Sequence, residues 1–420
     1  VTIRKQPTDF IVREAISQAL LNKMQPRWSP ESPHAAYELT KTSLTTPAAA
    51  GMLAQQLGMR VGDVQYAGLK DKHAQTTQVV TVHIRRERNE SSNADSVPLE
   101  LTHQGIRARR LGFLPQAIKA ADIAHNRFLI DVRDLSRGAW QVLDHRQRLL
   151  RLVPFAPDTH EADLLQLPRP EPRLLIPNYF GDQRFASVRR GHFAAKHLIT
   201  GDFESALKVL IASPLRKESG ASKIASRLCA QHWGNWPRLL SLLNKSPARG
   251  VVTVLASGGT FREAFEVLPH LDRQMAVESL QSHLWNATAA RIIRQHCARG
   301  WIEASVTSDL AFPFAVDVPE RLRSAHVPMA SPDLRPDGPD ADLWSDALHA
   351  TLEVEGLSLD QLAIPGVRRP SFDAFDRPLF VEARHFDCSP PSGDARIDVR
   401  LEFDLPSGAY ATNVLRAMGQ

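Results

Sequence analysis

The sequence predicts an α+β protein built on a mixed or largely antiparallel sheet, with a helix-rich domain inserted into the chain. Three observations carry this. At 420 residues the chain is too long for one ordinary core. Strand-like patterns dominate both ends. From about residue 188 to about residue 300 the apolar spacing is helical and strand signals are few. On this reading residues 1–180 and 367–420 make one domain, and residues 181–366 are inserted into it.

Asp9-Phe10-Ile11-Val12-Arg13-Glu14 alternates and reads as the first strand. Ala35–Lys41 is a second, weaker candidate. Thr46-Pro47 opens a helix through Leu57, with Thr46 as the N-cap and Pro47 at the first helical position. Asp63–Ala67 and Val79–Val82 read as strands on either side of a polar loop. Arg85–Asp95 is polar and aperiodic, so an exposed loop is expected. Asn126–Val132 is another strand, and Trp140–Leu152 is helical. In the middle of the chain, Phe203, Ala206, Leu207 and Leu210 mark one helix face, and Ala276, Val277, Leu280 and Leu284 mark another. Ser331–Asp342 reads as a Pro/Asp-rich linker. Strands return near Phe380–Glu382 and over Ala395–Phe403.

Composition narrows the class. The chain is 43% hydrophobic and 23% charged, as in soluble globular proteins. No apolar run reaches the ~18 residues of a membrane span. The first residues carry no signal-peptide pattern. Cys229, Cys297 and Cys388 are far apart and form neither a zinc spacing nor a disulfide framework, which suits reduced thiols in the cytoplasm. No histidine cluster marks a metal site. A formal net charge of +5 permits nucleic-acid binding without demanding it. Two local clusters say more: Arg107, Arg109, Arg110 and Lys119, and Arg184, Arg189 and Arg190. Each lies near aromatic residues and fits a groove that tracks phosphates.

The loop Gly68-Leu69-Lys70-Asp71-Lys72-His73-Ala74-Gln75-Thr76-Thr77-Gln78 holds one carboxylate at its centre, between two strands. Scaffolds place reacting groups on loops of this kind. Lys70 and Lys72 flank Asp71, and neighbouring cations favour an ionised carboxylate. That form suits nucleophilic or base chemistry.

Gly-x-Lys-Asp-x-x-Ala-x-Thr-x-Gln after Tyr66-Ala67 resembles the catalytic loop of the TruD family of pseudouridine synthases. Other segments resemble that family in the same order. They are Asp9–Glu14, Lys41-Thr42, Asn126-Arg127-Phe128, Pro177–Phe185, Gln281–Asn286 and Leu405–Arg416. The resemblance implies a pseudouridine-synthase catalytic domain interrupted by a TRUD insertion, which helps to form an RNA-binding cleft. It implies an isomerase that converts uridine to pseudouridine, at uridine 13 of tRNA, with Asp71 as the catalytic residue. No cofactor, metal or obligatory protein partner is implied; the partner is RNA.

Phe128 and Tyr410 match positions that pack and stack on a flipped base. Asn126 matches a residue that contacts the catalytic Asp or the uracil. Lys70 is expected to pair with phosphate or to hold the loop. Lys41, Thr76, Gln78 and Arg184 complete the expected substrate-binding set. Three positions depart from the family pattern: His125 and Ala186 stand where Gly is usual, and Tyr410 where bacterial relatives often carry Phe. A positive φ at position 125 would strain a histidine. Two other readings stay open. One is a non-catalytic RNA-binding or RNA-folding protein. The other is a nucleoside glycosidase, which needs a second carboxylate beside Asp71.

Overall fold

The computed structural model describes residues 3, 5–84, 97–150, 172–214, 220–297, 301–307, 310–315, 317–393 and 396–420. The loop expected over Arg85–Asp95 lies outside them.

The chain begins with β1 (Phe10–Ile16), a short helix α1 (Gln18–Leu21), β2 (His34–Thr42) and α2 (Thr46–Gln56). Then come β3 (Val64–Tyr66), β4 (Gln75–His83), β5 (Glu100–His103), β6 (Ile106–Leu114), β7 (Ile123–Leu135), α3 (Arg137–Leu150) and β8 (Leu174–Pro177). The helical middle holds α4 (Ala194–Leu198), α5 (Phe203–Ile211), α6 (Gly220–Gln231), α7 (Trp236–Leu242), α8 (Pro247–Ala256), α9 (Phe261–Glu266) and α10 (His270–His296). It continues through the hairpin β9 (Trp301–Thr307) and β10 (Leu310–Ala315), then α11 (Glu320–Arg323), β11 (His326–Pro328), α12 (Ala341–Glu355) and β12 (Asp376–Pro378). The chain closes with β13 (Phe380–Cys388), β14 (Ile397–Leu405) and α13 (Ala411–Ala417).

By their internal packing these elements fall into two compact units, Val1–Ile176 with Val381–Gln420, and Pro177–Phe380. The sequence pattern puts these divisions at 180 and 366.

The first unit is organised by a ten-stranded sheet of order β5-β6-β2-β4-β1-β7-β14-β13-β8, with β3 also on β4. It is mixed. β1 and β4 run parallel, while β2·β4, β2·β6, β1·β7, β7·β14 and β13·β14 are antiparallel. The alternation read in residues 9–14 is real: Phe10 and Val12 are buried on one face of β1. One face of β2 and β4 supplies Tyr37, Leu39, Val80 and Val82 to a core completed by Ala49, Ala50 and Leu53 of α2. Burying a leucine such as Leu53 contributes about 2 kcal/mol, so this contact fixes α2 against the sheet.

One capping assignment is corrected. Thr45, not Thr46, is the N-cap of α2, and its Oγ1 accepts from the Ala48 amide at 3.3 Å. Pro47 therefore sits at the second helical position. The shift releases the Thr46 hydroxyl for another use.

The second unit is built around α10, 27 residues long, whose Ala276, Val277, Leu280 and Leu284 are buried as their spacing predicts. Trp285 is core: its Nε1 donates to the Val327 carbonyl at 2.9 Å. Asn286 clamps the backbone of Phe180, accepting from its amide at 2.8 Å and donating to its carbonyl at 3.0 Å. Asn178 is held by Arg377, which donates to its carbonyl at 2.8 Å and to its Oδ1 at 2.6 Å. The buried Tyr179 hydroxyl donates to the Pro313 carbonyl at 2.7 Å, and burial holds its pKa well above the ordinary value. The motifs at 177–185 and 281–286 thus join elements distant in sequence within this unit.

Candidate active site

Residues directly opposite each other on neighbouring strands point to the same face. Lys41 of β2 faces Thr76 of β4, and Thr76 faces Val12 of β1. Val12 faces Phe128 of β7, which faces Phe403 of β14. These five make one row across five strands. On the same face Leu39 is opposite Gln78, and Glu14–Asn126–Leu405 runs across β1, β7 and β14. Sheet register therefore gathers Lys41, Thr76, Gln78, Asn126 and Phe128 on one face.

The Asp71 loop is tied to that face at several points. Thr46 Oγ1 accepts from the Lys70 amide at 2.9 Å and donates to Gln78 Oε1 at 3.1 Å. Gln78 Nε2 donates to the Gly68 carbonyl at 3.3 Å. Lys41 Nζ donates to the Asp71 carbonyl and to the Leu44 carbonyl, both at 2.7 Å. Lys70 Nζ pairs with Glu14 Oε2 at 2.5 Å and donates to Asn126 Oδ1 at 2.7 Å. Glu14 Oε1 accepts from the Val79 amide at 3.1 Å. The Asp71 carboxylate itself is half-buried, and its Oδ1 accepts from the His73 amide at 2.9 Å. That local turn holds the carboxylate by its own backbone.

The electrostatics sort the lysines. Lys41 is 1% exposed, and burial pulls its amine down to about 8, against the raising effect of Asp71. It is a loop anchor out of reach of an RNA phosphate. Lys70 is likewise held inside the protein, against a side chain of Glu14 that is fully buried. Lys72 is exposed. Thr76 and Gln78 are buried, and Gln78 anchors the loop.

Phe128 is 8% exposed. Its ring stacks on Phe403 at 5.5 Å and meets Phe10 edge-on at 6.2 Å. Tyr410 is only partly buried and caps α13. It follows the turn that leaves β14 at Leu405, the cross-strand partner of Asn126. Gly408 in that turn has φ 81°, a conformation that favours glycine. Arg184 belongs to the second unit, where it ion-pairs with Glu278 and lies over the Phe180 ring at 5.3 Å. Of the other basic cluster, Arg109 pairs with Glu38 at 3.2 Å and Arg110 donates to the Val97 carbonyl at 2.6 Å. Among the described residues no group of three or more His, Cys, Asp or Glu is placed to hold a metal ion.

The family model described as tRNA pseudouridine synthase D (TruD) matches residues 1–331. The chain belongs to the TruD family. A tRNA pseudouridine synthase D from Aquifex aeolicus is 26% identical over 428 residues, covering 100% of this chain and 98% of that protein. A relative of the same family name from Methanococcus maripaludis is 24% identical, covering 98% of each. A crystal structure of a TruD-family protein from Methanosarcina mazei superposes with a TM-score of 0.63 at 22% identity, covering 99% of this chain and 92% of that one; it shares the fold. As a TruD member the chain is an isomerase of the pseudouridine synthase class.

Two departures from the TruD pattern prove benign in the backbone. His125 lies within β7 and is not in the positive-φ region; its Nε2 is 3.5 Å from Asp404 Oδ2. Ala186 has φ −61°, ordinary right-handed backbone.

The sequence reading gives Glu14 no role in the site and Thr46 only that of a helix cap. A signal for Glu14 was present: it continues the period of Phe10 and Val12, so its carboxylate points inward and needs a cation. Thr46 gave no such signal, because its role depends on Lys70 and Gln78, 24 and 32 residues on.

Proposed function

We propose that this TruD member isomerises uridine to pseudouridine in tRNA, at uridine 13, with Asp71 as the single catalytic carboxylate. The observation that carries the reading is the loop's construction. Lys41, Thr46, Gln78 and the Lys70–Glu14–Asn126 chain fasten its backbone and its flanking lysine, while Asp71 is only half-buried. A carboxylate positioned in advance meets the sugar of an extruded nucleotide with little reorganisation.

In the reaction the N1–C1′ bond breaks, the uracil turns, C5 bonds to C1′, C5 loses its proton and N1 gains one, so the product is an isomer of uridine. No water enters and no cofactor is needed. Asp71 either attacks C1′ or takes a sugar proton to give a glycal-like intermediate; both routes use the ionised carboxylate. The half-exposed Tyr410 offers a face for the flipped base. Phe128, packed between Phe10 and Phe403, forms a stiff wall behind it. Lys41, Thr76 and Gln78 act on the loop, and Lys70 and Asn126 link the loop to the sheet.

The glycosidase reading is disfavoured. Glu14, the carboxylate placed beside the loop, is buried and neutralised by Lys70. The test is Asp71→Asn in the full chain, with pseudouridine mapped in tRNA and tRNA affinity measured in parallel. Lost pseudouridine at position 13 with affinity kept supports the proposal. Retained pseudouridine removes Asp71 from the chemistry, and modification at another nucleotide removes the site assignment.

A further inference from the structure

Residues 220–262 contain six Lys or Arg and no Asp or Glu, whereas the whole chain carries a formal net charge of only +5. This acid-free stretch forms α6, α7 and α8 and the first turn of α9, helices that pack on one another. It also carries three partly buried aromatic rings: Trp233 in the α6–α7 turn, and Trp236 and Phe261 at the starts of α7 and α9. The planes of Trp233 and Phe261 are 5° from parallel with centroids 6.5 Å apart. Trp236 stands edge-on to both, at 5.3 and 6.3 Å. Centroids ~4.5–7 Å apart are those of directly paired rings, so the three make one packed aromatic cluster, and its partly exposed rings offer faces to a base.

Charge sits beside the rings. Lys208 Nζ lies 5.6 Å from the Trp233 centroid. The acid there, Glu204, accepts from Trp233 Nε1 at 3.0 Å and pairs with Lys208 at 2.7 Å. Arg249 is occupied by the Leu240 and Leu243 carbonyls at the end of α7, and Arg262 faces Glu266 at 3.6 Å. Arg227, Arg238 and Lys245 are exposed.

Building on the tRNA reading above, we infer that Trp233, Trp236 and Phe261 form a second RNA contact, a platform that stacks an unpaired base while the cations of α6 and α7 hold its phosphates. Aromatic faces with exposed cations on the same helices are the pattern by which proteins take single-stranded RNA. A run of six cations without an acid favours a polyanion over an ordinary protein partner.

The test is equilibrium binding of full-length protein to an unmodified tRNA transcript across a salt series. Arg227→Glu with Arg238→Glu is expected to weaken binding at least ~10-fold at moderate salt and to flatten the salt slope by about 2. Trp233→Ala is expected to weaken binding ~5- to 100-fold, and Trp233→Phe, which keeps a ring, to restore it to within ~3-fold. Melting temperatures identify any alanine variant that fails to fold, and the surface charge reversals then decide. Wild-type affinity and salt slope in the charge-reversed protein overturn the inference. If wild-type protein neither binds nor modifies tRNA, the functional reading itself fails, a result distinct from loss of the platform alone.

Discussion

Lys70 Nζ lies 2.5 Å from Glu14 Oε2, so the cation next to Asp71 is neutralised by the carboxylate of a neighbouring strand. The pair is 11% and 0% exposed on its two side chains. Buried pairs of this kind contribute modestly as pairs but are costly to break by removing one partner.

Glu14→Gln is therefore expected to destabilise the first unit by ~3–5 kcal/mol, because Lys70 is left charged and uncompensated. Glu14→Gln with Lys70→Met is expected to recover a large part of that loss. Urea unfolding of the single and double variants measures both, and additive effects would sink the coupling. Pseudouridine formation is expected to fall in the double variant, since Lys70→Met frees the loop from Asn126.

Thr45 and Thr46 separate capping from loop support. Thr45→Ala removes the N-cap and is expected to cost ~1 kcal/mol while leaving activity intact. Thr46→Val keeps the shape but leaves the Lys70 amide and Gln78 Oε1 without their shared hydroxyl, at a cost of ~1–3 kcal/mol, and activity drops. Comparing melting temperature with turnover in the two variants checks this; equal losses of turnover would contradict the division of labour.

Lys41 sets a pH dependence of unusual sign. Its folded-state pKa of about 8 lies below the ordinary 10.5. Between those values the unfolded chain holds the proton and the folded chain does not, so this group makes stability rise with pH across the window. Below about 8 both states are charged and the contribution is constant. The expected gain is on the order of 2–3 kcal/mol, and Lys41→Met should abolish it. Unfolding free energies of the two proteins from pH 7.5 to 10.5 supply the comparison, and parallel curves would rule the assignment out.

At the acid end the second unit has its own device. His283 Nε2 and Lys196 Nζ each lie 2.7 Å from Glu355, and these partners, His283 first, hold its carboxyl down to about 2. A depressed carboxyl contributes stability that is complete above its unfolded value of 4.5 and is lost as pH falls toward 2. Glu355→Gln should flatten the acid limb of the stability curve over that interval. An unchanged limb would assign acid unfolding elsewhere.

Gly68 shows where structure and family motif part. It has no positive φ, and a Cβ built on it meets nothing within 4 Å. Gly68→Ala is expected to leave stability within ~0.5 kcal/mol of wild type. A loss of turnover in such a stable variant would mean that substrate passes close to this backbone.

Local pattern revealed much of the fold. The two-residue period of 9–14 and the apolar spacings at 203–210 and 276–284 place side chains on one face whatever the rest of the chain does. The motif around Asp71 likewise marked a loop between two strands, because the strand–loop–strand run and its carboxylate are contiguous. The functions of the lysines were not legible. Lys41 reaches Asp71 across 30 residues and Lys70 reaches Asn126 across 56. Nor did the aromatic of Phe128 disclose that Phe10 and Phe403 close around it.

By itself, the order of residues determined the first strand, the strands around the Asp71 loop, the main helix faces of the middle, which loop carries the aspartate, and which family the chain resembles. Only the tertiary structure decided which charges are sealed in and which meet solvent. The physical reason is register: facing residues on β2, β4, β1, β7 and β14 are brought together by backbone pairing between segments far apart in the chain. A lysine's partner, and with it the choice between anchoring a loop and gripping RNA, follows from that pairing.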